Sequence, residues 1–268
     1  LCDMLLSYHE NENRLTINNI LRKMLAALFF TVKPNGNICK IGDSDDAIVL
    51  KLSNVDSDYP DFLKSASISY GTNEYYFDNE KSEYSFWIND SDGHYSLGNK
   101  LEGSTFFKNA GFIFFNKEFQ GNKIWALFNI GNQSKKFLGA GHRHADLLSF
   151  LLNINGLDII IDSGTYKYFD TMFLRNIFKG TSLHSAPNIL NESQIKFQER
   201  FETSLNYNSL GKIEFFDGED FIVQGSHDAY LSKYSVSLNR KIEIGKKIII
   251  NDFHNSVKEV KLNVNYII

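Results

Sequence analysis

Leu147-Leu148-Ser149-Phe150-Leu151-Leu152-Asn153-Ile154-Asn155-Gly156-Leu157-Asp158-Ile159-Ile160-Ile161-Asp162 is the stretch from which the fold can be read. Two short apolar runs, 147–154 and 157–161, flank an Asn-Gly pair. Asn-Gly supplies the two positive-φ positions of a type I′ turn, so the spacing predicts a β-hairpin with Ile154 opposite Leu157. Working outward, similar runs occur at 112–115, 124–130, 213–216, 221–224, 234–238, 242–244 and 247–251. Asp217-Gly218 and Gly245-Lys246 read as further tight turns. With 23 Phe and 13 Tyr, the chain is rich in side chains that pack well on a pleated surface. Many short strands joined by tight turns predict a β-sandwich or barrel.

Polar chemistry sits at the open end of this hairpin. Before it lies Gly141-His142-Arg143-His144-Ala145-Asp146, and after it Ile161-Asp162-Ser163-Gly164-Thr165-Tyr166. His184 follows in Lys179-Gly180-Thr181-Ser182-Leu183-His184-Ser185. Two histidines and a carboxylate form an ordinary zinc ligand set with an open position, although spacing alone does not choose among borderline metals. Taken alone, His142-x-His144 reads as a pair of polar groups at a strand edge. Asp162, His184 and the Gly-Thr-Tyr context turn the reading towards a metal site. Asp146 is the expected hydrogen-bond acceptor behind a ligand histidine, or else a cap for the turn. A regular hairpin works against such a site. Counting back from the Asn-Gly turn puts Asp162 opposite Ser149 and leaves His144 about 16 Å further along. The segment 141–147 must therefore bend back, or the pairing must contain a bulge.

Over about residues 139–195 these elements resemble the heparinase II/III-like family of polysaccharide lyases. The family pattern runs Gly-His-Gly-His-Ala-Asp, an apolar strand, Val-Asp-Pro-Gly-Thr-Tyr, then Arg-Gly-Thr and His-Asn. Here Arg143, Ser163, Lys179 and Ser185 depart from it. The resemblance implies an α+β multidomain chain, in which an antiparallel C-terminal β-sandwich (101–268) follows the last helices of a truncated α/α toroid (1–100). It implies that His144, Asp162 and His184 bind Zn2+, and that His142 lies at the substrate cleft in a catalytic or charge-neutralising role. Arg175 falls where it either pairs with a uronate carboxylate or forms a loop salt bridge. Tyr166 and Tyr168 either contact sugar or pack at the rim. The implied activity is β-elimination on a uronic-acid polysaccharide, with the base and acid on the toroid. The departures from the pattern, together with the acidic charge, leave a non-catalytic carbohydrate-binding or exopolysaccharide-assembly protein as the alternative. A zinc hydrolase is disfavoured, because no Glu base stands near the ligands in sequence.

The remaining sequence bounds these expectations. Residues 16–30 carry a helical stripe of Ile17, Ile20, Leu21, Met24, Leu25, Leu28 and Phe29, with Thr16 as the expected N-cap and Pro34-Asn35-Gly36 as the stop. A second helix is expected from Tyr59-Pro60-Asp61, carrying Phe62, Leu63 and Ala66. The acidic segment 42–46 between them lacks the longer ligand register of a calcium-binding EF-hand loop and reads instead as a solvated helix-to-helix turn. A net charge of −4 argues against a nucleic-acid partner and places the positive charge of any groove for an acidic polysaccharide locally or elsewhere. Cys2 and Cys39 give no disulfide framework. No apolar run reaches the roughly 18 residues of a membrane span. The chain begins at Leu1, within what reads as a helix, so further toroid is expected before it. Periplasmic or extracellular placement follows by analogy with the family.

Overall fold

The computed structural model describes residues 13–44, 59–75, 101–131, 142–167, 172–195, 197, 209–212, 220–256 and 260–267. The chain forms two compact units. One comprises Leu1–Ile38 with Ile48–Glu102, and the other Cys39–Ala47 with Gly103–Ile268.

In the first unit, helix α1 spans Asn13–Thr31 and α2 spans Tyr59–Tyr70. Helix α1 begins before Thr16, which is therefore an interior residue and not the N-cap; neither Gly nor Pro interrupts residues 13–15. Leu25 and Phe29 are buried as the stripe predicts, whereas Ile17, Ile20 and Met24 are exposed. The helix stops where Pro34-Asn35-Gly36 was expected to stop it. There the Gly36 amide donates to the Lys33 carbonyl, and Lys33 N donates to Asn37 O. In α2, Leu63 is buried and Phe62 is exposed.

The second unit is the sandwich. One sheet has the order β1-β2-β3-β4-β5, built from Gly103–Phe107, Phe112–Phe119, Asn122–Asn129, Phe150–Ile154 and Leu157–Ile160. Every neighbour in it is antiparallel and consecutive in sequence. Strands β6 (Pro187–Ile189) and β11 (Leu262–Val264) form a two-stranded pair. The other main sheet has the order β10-β9-β8-β7, from Ile248–Asn255, Ser237–Ile244, Phe221–His227 and Ser209–Lys212. Among the described residues the unit also holds the α-helix α3 (Met172–Lys179) and the single α-helical turn α4 (Leu231–Tyr234).

Alternation builds the core. Ile113 and Phe115 of β2, Ile124, Ala126 and Phe128 of β3, and Phe150 and Leu152 of β4 meet Phe221 and Val223 of β8 and Leu238, Ile242 and Ile244 of β9. Phe115 and Phe221 touch across the layers with ring centroids 4.9 Å apart.

The expected hairpin forms. Ile154 pairs with Leu157, and Asn155 and Gly156 take φ values of 52° and 85°. Its regular pairing ends early, at a β-bulge between Leu152 and Asn153. Strand β4 begins at Phe150 and not at residue 147, because Ser149 N turns back to Asp146 O and Leu148 is left-handed at φ 63°. Both of the devices that the spacing argument offered as alternatives are thus present. Of the run 234–238 only Ser237 and Leu238 are in a strand, while Tyr234 ends α4; together with 242–244 those two belong to a single strand, β9. The intervening Asn239-Arg240-Lys241 looked like a break only because a buried arginine is not expected in a strand. The run 213–216 and the turn Asp217-Gly218 lie outside the described residues.

Candidate metal and substrate site

The site occupies the end of the sandwich where β3 finishes, β4 begins and β5 finishes. The Asn155-Gly156 turn lies at the opposite end of the hairpin. Three segments converge there: 142–149 ahead of β4, 161–166 after β5, and the 3₁₀ turn Thr181–Leu183 with His184 at its C-cap. Each is tied to the next by backbone or buried side-chain bonds. Ala145 N donates to Lys179 O at 2.8 Å, and Thr181 Oγ1 donates to Ala145 O at 2.7 Å. The Gln194 side chain accepts from Leu147 N and donates to Leu147 O and Pro187 O. Ser163 Oγ donates to Leu183 O at 2.7 Å, and Ser185 Oγ to Ile161 O at 3.1 Å. Ser163 and Ser185, two departures from the family pattern, are therefore the stitches on either side of the Asp162–His184 pair.

His144, Asp162 and His184 each offer a ligand atom within 4.8 Å of the others. His144 and His184 are buried, with ring centroids 5.1 Å apart. His184 Nδ1 lies 2.6 Å from Asp162 Oδ2, and Asp162 Oδ1 accepts the Gly164 amide at 2.8 Å. His144 Nε2 lies 3.1 Å from Asp43 Oδ1. With each bonded nitrogen carrying the proton, His144 Nδ1 and His184 Nε2 hold lone pairs. Both atoms are buried without a hydrogen-bond partner among the described residues. Unpartnered buried polar atoms are rare, and two imidazole lone pairs beside a carboxylate fit a divalent cation.

Asp43 is the residue that the sequence reading missed. The expected solvated turn instead buries this carboxylate, whose side chain is 1% exposed. Gly42, at φ 62°, makes the approach possible: a Cβ there would meet His142 O at 2.6 Å, and Asp43 N donates to that same carbonyl at 2.9 Å. Asp43 Oδ2 lies 3.2 Å from His142 Nδ1 and forms an ion pair with Arg175. Burial alone would raise the Asp43 pKa. Hydrogen bonds from His144 and Arg175 and the charges of Lys179 and Arg175 outweigh it and bring the pKa down to about 2. The acceptor behind His144 is thus Asp43. The Asp146 carbonyl accepts from Ser149 N and Asn129 Nδ2, while burial raises the pKa of its carboxyl group.

The other expected residues separate by exposure. The His142 side chain is 59% exposed. Arg175, on α3, is buried with its guanidinium on Asp43. Tyr166 is exposed, stacks on Phe178 at 5.0 Å and takes a left-handed φ of 65°, uncommon for an aromatic residue. Tyr168 lies outside the described residues. Within the triad, burial opposes charge on both partners, yet the mutual hydrogen bond leaves the Asp162 pKa lowered and the His184 pKa raised.

Comparison with known proteins places this fold. Solved structures of a heparinase III with methylated lysines (18% identity, TM-score 0.64) and of a second heparinase III (16%, 0.65) each match over 96% of this chain. A mutant heparan sulfate lyase HepC from Pedobacter heparinus matches over 93%, at 18% identity and TM-score 0.63. These matches cover 34–37% of the neighbours, so the chain spans about a third of their length. No curated protein sequence matches it. Among the described residues no helix is long and apolar enough to cross a membrane. The family model for the heparinase II/III-like C-terminal region matches residues 99–265, and through that match this chain belongs to the heparinase II/III-like family.

Proposed function

We propose that this chain is the C-terminal part of a polysaccharide lyase that cleaves a uronic-acid-containing polysaccharide by β-elimination. In this reading residues 1–100 are the last helices of an α/α toroid, 101–268 are the sandwich, and the protein works in the periplasm or outside the cell. The observation that carries it is the convergence of His144, Asp162 and His184, with two buried imidazole nitrogens lacking partners, directly behind the exposed His142. Those three residues would hold a zinc ion, and bound zinc would supply a fixed positive charge that organises this side of the cleft.

The chain's own groups then divide the work. Asp43 accepts the His144 Nε2 proton and so selects the tautomer that presents Nδ1. It also orients His142, the residue placed to meet a uronate carboxylate. Removing the weakly acidic C5 proton requires that carboxylate to be neutralised as negative charge develops, and a protonated His142 would supply the compensating charge. Arg175 contributes through Asp43, holding it ionised. Tyr166 offers a ring at the rim for sugar stacking, and Tyr168 is grouped with it by its neighbouring position. The base and acid that complete the elimination are expected on toroid residues outside this chain.

Metal content by elemental mass spectrometry, for the native protein and for His144→Ala, tests the site. About one zinc per chain, lost in the variant, is expected. The absorbance of an unsaturated uronate product, released from uronate polymers by the whole protein, tests the activity. A zinc-loaded whole protein that releases no such product from any of them would point to non-catalytic carbohydrate binding on the same scaffold.

A further inference from the structure

Arg240 lies on β9, in the sheet that carries no metal ligand, and is fully buried. Its Nε and Nη2 bind both carboxylate oxygens of Asp252, the directly paired residue on β10, at 2.7 and 2.9 Å. Its Nη1 reaches across the sandwich to two backbone carbonyls, Leu148 O at 2.7 Å and Ser185 O at 2.6 Å. Leu148 ends the turn that leads from His144 into β4, and Ser185 directly follows His184. Ser185 extends the reach, because its Oγ donates to Ile161 O beside Asp162. One guanidinium and one hydroxyl thus hold the segments of all three ligands.

A buried ion pair is a poor device for stability, because desolvation offsets its attraction and apolar replacements often do as well. What it does supply is a fixed direction: five donors in a rigid fork, here aimed at two carbonyls and a carboxylate. We propose that Arg240, anchored by Asp252 and extended by Ser185, is a positioning residue that sets the geometry of the metal-ligand triad from the opposite sheet. This rests on the metal-site reading given above.

The test compares zinc affinity, by competition with a chromophoric chelator, and the visible d–d spectrum of the cobalt-substituted protein. The proteins are the native form, Arg240→Met, Arg240→Lys and Val223→Ala. Val223 is buried in the core of the same sheet but bonds none of the ligand segments, so its truncation controls for lost stability. The expected result is a roughly 10–100-fold loss of zinc affinity and an altered cobalt spectrum in Arg240→Met, the range typical of residues that support metal ligands. Arg240→Lys should not rescue it, because an ammonium cannot grip a carboxylate and two carbonyls together. Val223→Ala should keep native affinity and spectrum. Native affinity and spectrum in Arg240→Met would overturn the proposal, as would an equal loss in Val223→Ala at matched stability. Should Arg240→Met fail to fold, Asp252→Asn, which leaves the guanidinium in place but weakens its anchor, carries the test: a measurable loss of affinity supports the proposal and none overturns it. A native protein that binds no zinc would instead refute the metal site itself, and the positioning role with it.

Discussion

His227 shows how far burial alone can move a titrating group. It lies on β8 at 2% exposure, with Nδ1 accepting the Ala229 amide at 3.3 Å and its ring 5.8 Å from that of Tyr230. Burial pushes its pKa down to about 3, against a smaller opposing pull from Asp228. In the unfolded chain the same imidazole protonates near 6.5. Between those values the unfolded state binds the extra proton, so the stabilisation is complete above about pH 6.5 and declines as pH falls towards 3. The slope should approach about 1.4 kcal/mol per pH unit. Urea unfolding at pH 7.5 and 5.0 measures it, and His227→Asn should flatten the difference; equal slopes in both proteins would assign the acid sensitivity elsewhere. Asp43 poses the opposite problem for a reader of sequence. Its carboxylate is buried because His144 and Arg175 lie 101 and 132 residues away in the chain but beside it in space. Nothing local in Ile-Gly-Asp-Ser-Asp-Asp distinguishes it from the acids that follow.

At the level of elements, the hairpin and most strands were legible because alternation and turn chemistry are local. Asn155-Gly156 specified its own turn, and Gly245-Lys246 lies in the connection between β9 and β10, where Ile244 pairs with Ile248. The boundaries that failed did so for tertiary reasons: Leu147 and Leu148 continue the apolar run, yet both are held in a turn by Gln194 and Asn129. Gly225 is a second element-scale constraint. Strand propensity favours almost any residue over glycine. A Cβ at this position, however, would sit 2.7 Å from Leu148 Cδ2, 2.8 Å from Ile130 Cγ2 and 3.0 Å from Phe128 Cζ. Overpacking should win, with Gly225→Ala costing about 1–3 kcal/mol in thermal unfolding. An unchanged or raised melting temperature would show that the two layers can part without cost.

Across the whole molecule, folding and metal binding should be linked. His144, Asp162 and His184 come from three separate segments and converge only once the sandwich has formed, so the unfolded chain offers no comparable site. Zinc at a hundred times its dissociation constant should stabilise the fold by about 2.7 kcal/mol. For a chain of this size that raises the melting temperature by roughly 5–10 °C. Calorimetry with zinc and then with excess chelator measures the shift, and His184→Ala should abolish it. A shift that survives in His184→Ala would place the stabilising metal at another site.

The sequence by itself determined a β-rich chain of short strands and the Asn-Gly hairpin, and its resemblance to a known family singled out His144, Asp162 and His184 as candidate ligands. It also determined that a regular hairpin could not unite them, because strand spacing and turn chemistry are read within a few residues. Only the tertiary structure decided how the contradiction resolves: a bulge at Leu152/Asn153 combined with a left-handed turn at Leu148. It alone decided that Asp43 stands behind His144, and that Arg240 holds the ligand segments from the other sheet. Those outcomes depend on buried charge pairing and on carbonyls made neighbours by layer packing, and neither leaves a periodic trace along the chain.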